Sequence, residues 1–125
     1  MTKQKFSISK RLASFTYAFN GLRILLQKEH NARIHVFAAL CVVVAGFIFN
    51  ISTMEWIAVL LSIGLVISFE IINSSIEHIA DLYTLKNTKK IKTIKDLAAA
   101  GVLTSAITAL IIGLLIFIPK IFVLC

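Results

Sequence analysis

The chain has 125 residues, enough for one domain, and 58% of them are hydrophobic while 15% are charged. Soluble domains average about 45–50% apolar and about 25% charged residues, so this composition, with a mean hydropathy of +0.91, excludes an ordinary soluble protein and predicts a membrane protein. The net charge of +7 does not indicate a nucleic-acid partner, because the basic residues flank hydrophobic runs and suit contacts with anionic lipid.

The first predicted element is an amphipathic helix over residues 7–28. Its apolar side chains recur at steps of three and four residues, while polar residues such as Lys10 and Arg23 occupy other faces. A soluble helix packed on a partner would show the same pattern. The long apolar remainder of the chain favours a helix that lies flat in the membrane interface.

Three apolar runs then predict membrane-spanning helices over residues 34–51, 55–79 and 97–118, the last of them uncharged and long enough to cross the hydrocarbon core. With the surface helix, they predict an all-α fold in a single membrane domain over residues 1–125. A short turn is predicted at residues 50–53 and a polar loop at residues 81–95. Pro119 and Lys120 are predicted to end the third span.

The basic residues predict how the chain is oriented in the membrane. Of the 13 Lys and Arg residues, seven precede the first span, five lie between the second and third spans, and Lys120 is the last. The positive-inside rule therefore places the amino terminus and the 81–95 loop in the cytoplasm. Glu29, Glu77 and Asp81 then lie at the same membrane face.

A polar stripe continues the second span without any Pro or Gly to end the helix. Successive residues turn by about 100°, so Glu70, Asn73, Glu77 and Asp81 lie on one face. Glu70 and Glu77 are then about 10 Å apart along the axis, close enough for one to hold a metal while the other acts on a substrate. A structural ion pair is the simpler explanation, but four polar groups in register exceed what one helix contact needs.

Several common catalytic motifs are absent from the sequence. There is no glycine-rich nucleotide loop, no nucleophile elbow and no Cys–His pair. The three histidines are not spaced like a metal site, so we interpret His35 as an interfacial or hydrogen-bonding residue. Ser74 is interpreted first as a packing residue and second as a substrate contact. Carboxylates with few imidazoles favour a hard cation such as Mg²⁺. The pattern indicates chemistry among charged groups at the membrane surface without specifying the reaction.

The polar stripe and three further segments resemble the small prokaryotic diacylglycerol kinase and undecaprenol kinase family. Residues 70–81 (EIINSSIEHIAD) are similar to the family signature, and the supporting matches are residues 17–23 (YAFNGLR), 29–35 (EHNARIH) and 95–103 (KDLAAAGVL). The resemblance implies a homotrimer of three-span subunits in the bacterial inner membrane, with active sites shared between neighbours. It also implies Mg²⁺-dependent transfer of the ATP γ-phosphate to a lipid hydroxyl at the cytoplasmic face.

The same resemblance assigns roles to individual residues. Glu70 matches the general base, and Glu29 and Glu77 match the carboxylates that hold a divalent metal at the nucleotide. The residues implied in nucleotide binding are Lys10, Tyr17, Glu29, Glu77, Lys95 and Asp96. The residues implied in supporting the site are Asn73, Arg23, Arg33 and Asp81.

The lipid acceptor stays open at this point. Diacylglycerol leads by family name, while the Asn31-to-His35 form looks more like members that phosphorylate undecaprenol. Residues 84–88 (TLKNT) also depart from relatives that have an acidic residue and a histidine there, which affects the adenine and ribose contacts. A small proton-coupled transporter and a structural subunit without chemistry are alternatives, but the lysine-rich loop and Glu29 outside the spans favour the kinase.

Overall fold

The computed structural model describes residues 5–83 and 88–124, which form four α-helices and no strand. In chain order the helices are α1 (Ile8–Lys28), α2 (His30–Ile48), α3 (Thr53–Tyr83) and α4 (Lys89–Leu124). The predicted all-α class is therefore confirmed. As the apolar runs predicted, α2, α3 and α4 are each long and apolar enough to cross a membrane.

The helix α1 starts at a capped end and exposes its apolar residues. The Ser7 hydroxyl accepts a hydrogen bond from the backbone N–H of Lys10 at 3.5 Å. The side chains of Leu12, Phe15 and Phe19, which share one face of α1, are all exposed. An exposed apolar face is what a helix at the membrane interface requires, and that location stays a prediction.

The long helix α3 is the central element of the fold. Five of its six buried residues recur at steps of three and four and so form one face, made of Val59, Ser62, Val66, Glu70 and Ser74. The helix α3 as a whole packs mainly against α4 and, to a lesser extent, against α2. The predicted polar stripe thus continues a buried apolar face without a break in the helix.

The start of α3, which is the end far from Glu70, is stabilised by a capping box and an ion pair. The Ser52 backbone N–H donates to Glu55 Oε1 at 2.9 Å, and the Glu55 N–H donates to Ser52 Oγ at 3.2 Å. The other Glu55 oxygen lies 2.9 Å from Lys120 Nζ. This pair joins the start of α3 to the end of α4.

The polar loop predicted at residues 81–95 is largely helical, because α3 and α4 both extend into it. The Thr88 hydroxyl accepts a hydrogen bond from the Ile91 N–H at 3.3 Å, which caps the start of α4. One turn later, Lys92 Nζ lies 2.7 Å from Asp96 Oδ2, an i,i+4 pair that favours helix. These local contacts stabilise a polar helix that hydropathy does not detect.

The helix α4 continues past Pro119 to Leu124, so the proline does not end the helix, and the predicted end of the third span stays a prediction. An interior proline removes a backbone hydrogen bond and costs about 3 kcal/mol. Contacts on both sides of it hold the helix against the bundle. Before it, the rings of Phe117 and Phe49 lie 5.9 Å apart, and after it comes the ion pair between Lys120 and Glu55.

The helix α2 begins and ends earlier than the span predicted at residues 34–51. It begins at His30, directly after the extended residue Glu29, and it ends at Ile48. Asn50 has a φ of 51°, the left-handed conformation that terminates helices and that asparagine tolerates. The chain therefore turns before the last apolar residues of the predicted span.

Candidate active site

The corner between α1 and α2 positions Glu29, the first acidic residue of the site. Glu29 has φ −103° and ψ 111°, an extended conformation that separates the two helices. Arg33 holds the corner from within α2, because its Nε donates to the Leu26 carbonyl oxygen at 2.5 Å and its Nη2 donates to that of Gln27. Carbonyl groups in the last turn of a helix have no internal partner, so a guanidinium stabilises this end of α1.

The corner is tied to α3 through the Glu29 carboxylate. The hydroxyl of Ser74, which is buried, donates to Glu29 Oε1 at 3.1 Å. Glu77 is half-buried and lies three residues further along α3, so it is close to Ser74 on the same side of the helix. The fold therefore brings the carboxylates of Glu29 and Glu77 to the same region of α3.

Glu70 lies deeper in the bundle than Glu77, and only 3% of its surface is exposed. The Nε2 atom of His35, on α2, is 3.2 Å from Glu70 Oε1. The orientation of this contact does not meet hydrogen-bond geometry, so Oε1 accepts no hydrogen bond from the described residues. The same holds for the buried Oδ1 of Asn73, one turn along the stripe.

Two ion pairs lie at the same end of the bundle, beyond Glu77. Lys95 Nζ is 2.8 Å from Asp81 Oδ1, which connects the end of α3 to the start of α4. Asp96 pairs with Lys92 and is exposed. Of the predicted Lys95–Asp96 nucleotide contact, Lys95 is thus held at the stripe by Asp81, while Asp96 is held by Lys92 within α4.

The predicted site residues of α1 lie apart from this group. Lys10 and Tyr17 line an exposed groove of about 430 Å³ near the start of α1. Since α1 is a continuous helix, Lys10 is about 27 Å from Lys28 along the axis. Arg23 is exposed on the same helix and forms no ion pair within the described residues. Of the divergent segment 84–88, residues 84–87 lie outside the described residues.

The acidic groups of the site fit a metal only together with other ligands. Within residues 5–83 and 88–124, no group of three or more His, Cys, Asp and Glu side chains is arranged to hold an ion. The structure instead offers Glu29 and Glu77, two carboxylates on the same side of α3 with part of their surface open. Such a donor set fits a hard divalent cation that takes its other ligands from substrate phosphates and water.

Sequence reasoning missed the positions of two residues in this site. The sequence favours a packing role for Ser74, but its hydroxyl contacts Glu29. His35, for which the sequence indicates an interfacial or hydrogen-bonding role, lies against Glu70. The available signal was a single imidazole inside an apolar run, which indicates a polar partner in the bundle interior.

Comparison with known proteins gives a consistent result. The sequence model described as "Prokaryotic diacylglycerol kinase" matches residues 16–117. The chain is 39% identical over 113 residues to the undecaprenol kinase of Bacillus subtilis (strain 168), which covers 90% of this chain and 92% of that protein. It is also 31% identical over 109 residues to the diacylglycerol kinase of Synechocystis sp. (strain ATCC 27184 / PCC 6803 / Kazusa), covering 86% of this chain and 62% of that protein.

Proposed function

Because this chain belongs to the prokaryotic diacylglycerol kinase family and is a lipid kinase, we propose that it transfers the γ-phosphate of ATP to undecaprenol. The match to the undecaprenol kinase extends over nearly the full length of both proteins and has the higher identity. Diacylglycerol is the second candidate, supported by the family description and by the Synechocystis relative. Both acceptors present a hydroxyl group at the membrane surface.

The observation that carries this proposal is the meeting of four acidic and polar groups at one end of the bundle. Glu29 reaches Ser74, Glu77 follows on the same side of α3, and Glu70 is buried one turn before Ser74. Phosphoryl transfer depends on positioning and charge neutralisation and needs little covalent chemistry from the protein. An arrangement of surface carboxylates, one buried carboxylate and nearby lysines meets that requirement.

We propose that Glu29 and Glu77 hold Mg²⁺ together with the phosphates of ATP, and that the ion neutralises phosphate charge. Lys95 and Asp96, at the start of α4, are proposed to contact the nucleotide. Asp81 is proposed to support Lys95, because the ion pair between them fixes the position of the ammonium group.

Glu70 is proposed as the base that accepts the proton of the lipid hydroxyl. The hydroxyl oxygen forms its bond to the γ-phosphorus, the bond from that phosphorus to ADP breaks, and the proton moves to the Glu70 carboxylate. Asn73 lies one turn further along the same face, and its amide N–H is proposed to orient the Glu70 carboxylate without adding charge. Glu70 lies deeper than Glu77, which suits a hydroxyl that arrives from the membrane.

The acceptor is tested with purified protein, labelled ATP and each lipid alone. We expect labelled phosphate to appear on undecaprenol at a higher kcat/KM than on diacylglycerol, and none to appear without lipid. A protein that phosphorylates only diacylglycerol would reverse the order of the two candidates. A protein that phosphorylates neither lipid, while remaining folded, would contradict the proposed reaction.

We propose that the end carrying Glu29 faces the cytoplasm of a bacterium, in its inner membrane, and that the α2–α3 turn faces outward. Basic residues concentrate at the first end. In a variant without the native Cys41 and Cys125, Met54→Cys should react with an impermeant maleimide in sealed right-side-out vesicles. Lys90→Cys should react only after the vesicles are opened. Reaction of Lys90→Cys from outside would refute this orientation.

We also propose that the enzyme is a homotrimer with sites shared between subunits. The family resemblance supports this assembly. A second support is the separation within one chain, since Lys10 lies nearly the whole length of α1 away from Glu29. A neighbouring subunit brings a second copy of α1 to the membrane surface, where its Lys10 and Tyr17 contact the nucleotide.

A further inference from the structure

His35 lies beside the buried carboxylate of Glu70. Its Nε2 atom is 3.2 Å from Glu70 Oε1, and the exposed fractions of the two side chains are 25% and 4%. Within residues 5–83 and 88–124, no other basic side chain lies within ion-pair distance of Glu70. Among the described residues, His35 is therefore the one basic side chain that can pair with this carboxylate.

The carboxylate is buried without its full set of hydrogen bonds. Glu70 Oε1 has no hydrogen-bond partner among the described residues, although the imidazole is close enough to become one. Leaving a buried carboxylate oxygen unpaired is costly, and unpaired polar groups of this kind concentrate at functional sites. A small rotation of the His35 ring aims its N–H at Oε1 without moving the helices.

His35 also faces an apolar groove between α2, α3 and α4, of about 430 Å³. The lining includes Ala38 from α2, Val66 and Ile67 from α3, and Ala106 from α4. Val66 and Ile67 lie about one turn before Glu70, so this part of the groove reaches the depth of the carboxylate. His35 is thus positioned between an apolar surface and the buried carboxylate.

We propose that His35 is a positioning residue for Glu70, an inference that rests on the proposed role of Glu70 as the base. In the Nε2–H tautomer, the imidazole donates to Glu70 Oε1. This contact orients the carboxylate so that Oε2 points to the lipid hydroxyl and accepts its proton. The imidazole keeps its own proton throughout and does not touch the reacting phosphorus.

Two polar variants separate a donor role from a packing role. His35→Gln places an amide N–H near the position of Nε2, while the amide of His35→Asn is too short to reach it. We expect His35→Asn to lower kcat by about 10- to 100-fold, the size of losing one hydrogen bond to a charged group. His35→Gln should restore most of that loss. The KM for ATP should stay within about twofold in both, because His35 is not proposed to contact the nucleotide.

The same pair is then measured in the Glu70→Gln background, with thermal unfolding as the check on folding. If His35 acts through Glu70, His35→Asn causes little further loss of kcat there. Equal kcat losses for His35→Asn and His35→Gln would overturn the positioning role, as would an undiminished effect of His35→Asn in the Glu70→Gln background. Normal turnover of Glu70→Gln alone would instead contradict the proposed base, so the two failures are distinguishable.

Discussion

Replacing Glu70 by glutamine is expected to lower the turnover of lipid phosphorylation by about 10²–10⁴-fold, the usual contribution of a general base. The amide keeps the size of the side chain but has no basic oxygen to take the hydroxyl proton. Glu70 is buried inside the bundle, whereas Glu29 and Glu77 are partly open. We therefore expect ATP affinity to change little. The measurement is kcat with each lipid, beside the dissociation constant for ATP.

Glu55→Gln is the matched control for this variant. It is the same substitution in the same helix, 15 residues away and so about 22 Å along the axis. Glu55 pairs with Lys120 at the opposite end of the bundle, so this change should lower the melting temperature modestly and leave turnover intact. If Glu70 served only a structural ion pair, its variant would behave in the same way. A folded Glu70→Gln protein with near-normal turnover would exclude Glu70 as the base.

The helices were predictable where hydrophobicity or helical periodicity determines them. The apolar run before Glu70 and the polar stripe after it share one helical face, so α3 was expected to continue past the end of the apolar run, as it does. The start of α4 was not predictable by hydropathy. It depends on the Thr88 cap and on the Lys92–Asp96 pair, both of which stabilise a helix with polar surfaces.

The candidate site was predictable along single helices but not between them. Periodicity placed Glu70, Asn73 and Glu77 on one face of α3, because this depends only on the pitch of the helix. The contacts of Glu29 with Ser74 and of His35 with Glu70 depend on how α2 packs against α3, which the pattern of one chain segment does not encode.

Arg33 illustrates the same limit on sequence reasoning. The resemblance implied that Arg33 supports the site, and in the structure its guanidinium binds the carbonyl groups at the end of α1. That contact arises because a helix end leaves carbonyl groups without partners, and the corner at Glu29 brings them within reach. Arg33 thus supports the position of Glu29 through the backbone of α1.

Replacing either Glu29 or Glu77 by glutamine is expected to raise the Mg²⁺ concentration needed for half-maximal activity by at least about tenfold. Two unit charges about 4 Å apart interact by about 4 kcal/mol at an effective dielectric constant of 20. Losing about a third of that interaction already corresponds to a tenfold change in affinity. The measurement is a Mg²⁺ titration of activity at saturating ATP and lipid.

The fold should survive both changes, which makes the result interpretable. In the Glu29→Gln variant, the new amide oxygen can still accept the hydrogen bond from Ser74 that ties the corner to α3. The Glu77 side chain forms no hydrogen bond or ion pair within residues 5–83 and 88–124, so its change removes no described polar contact. Glu55→Gln should leave the Mg²⁺ dependence unchanged. If Glu29→Gln and Glu77→Gln also show the wild-type Mg²⁺ dependence, the two carboxylates do not hold the metal, and Glu29 serves only to join the corner to α3 through Ser74.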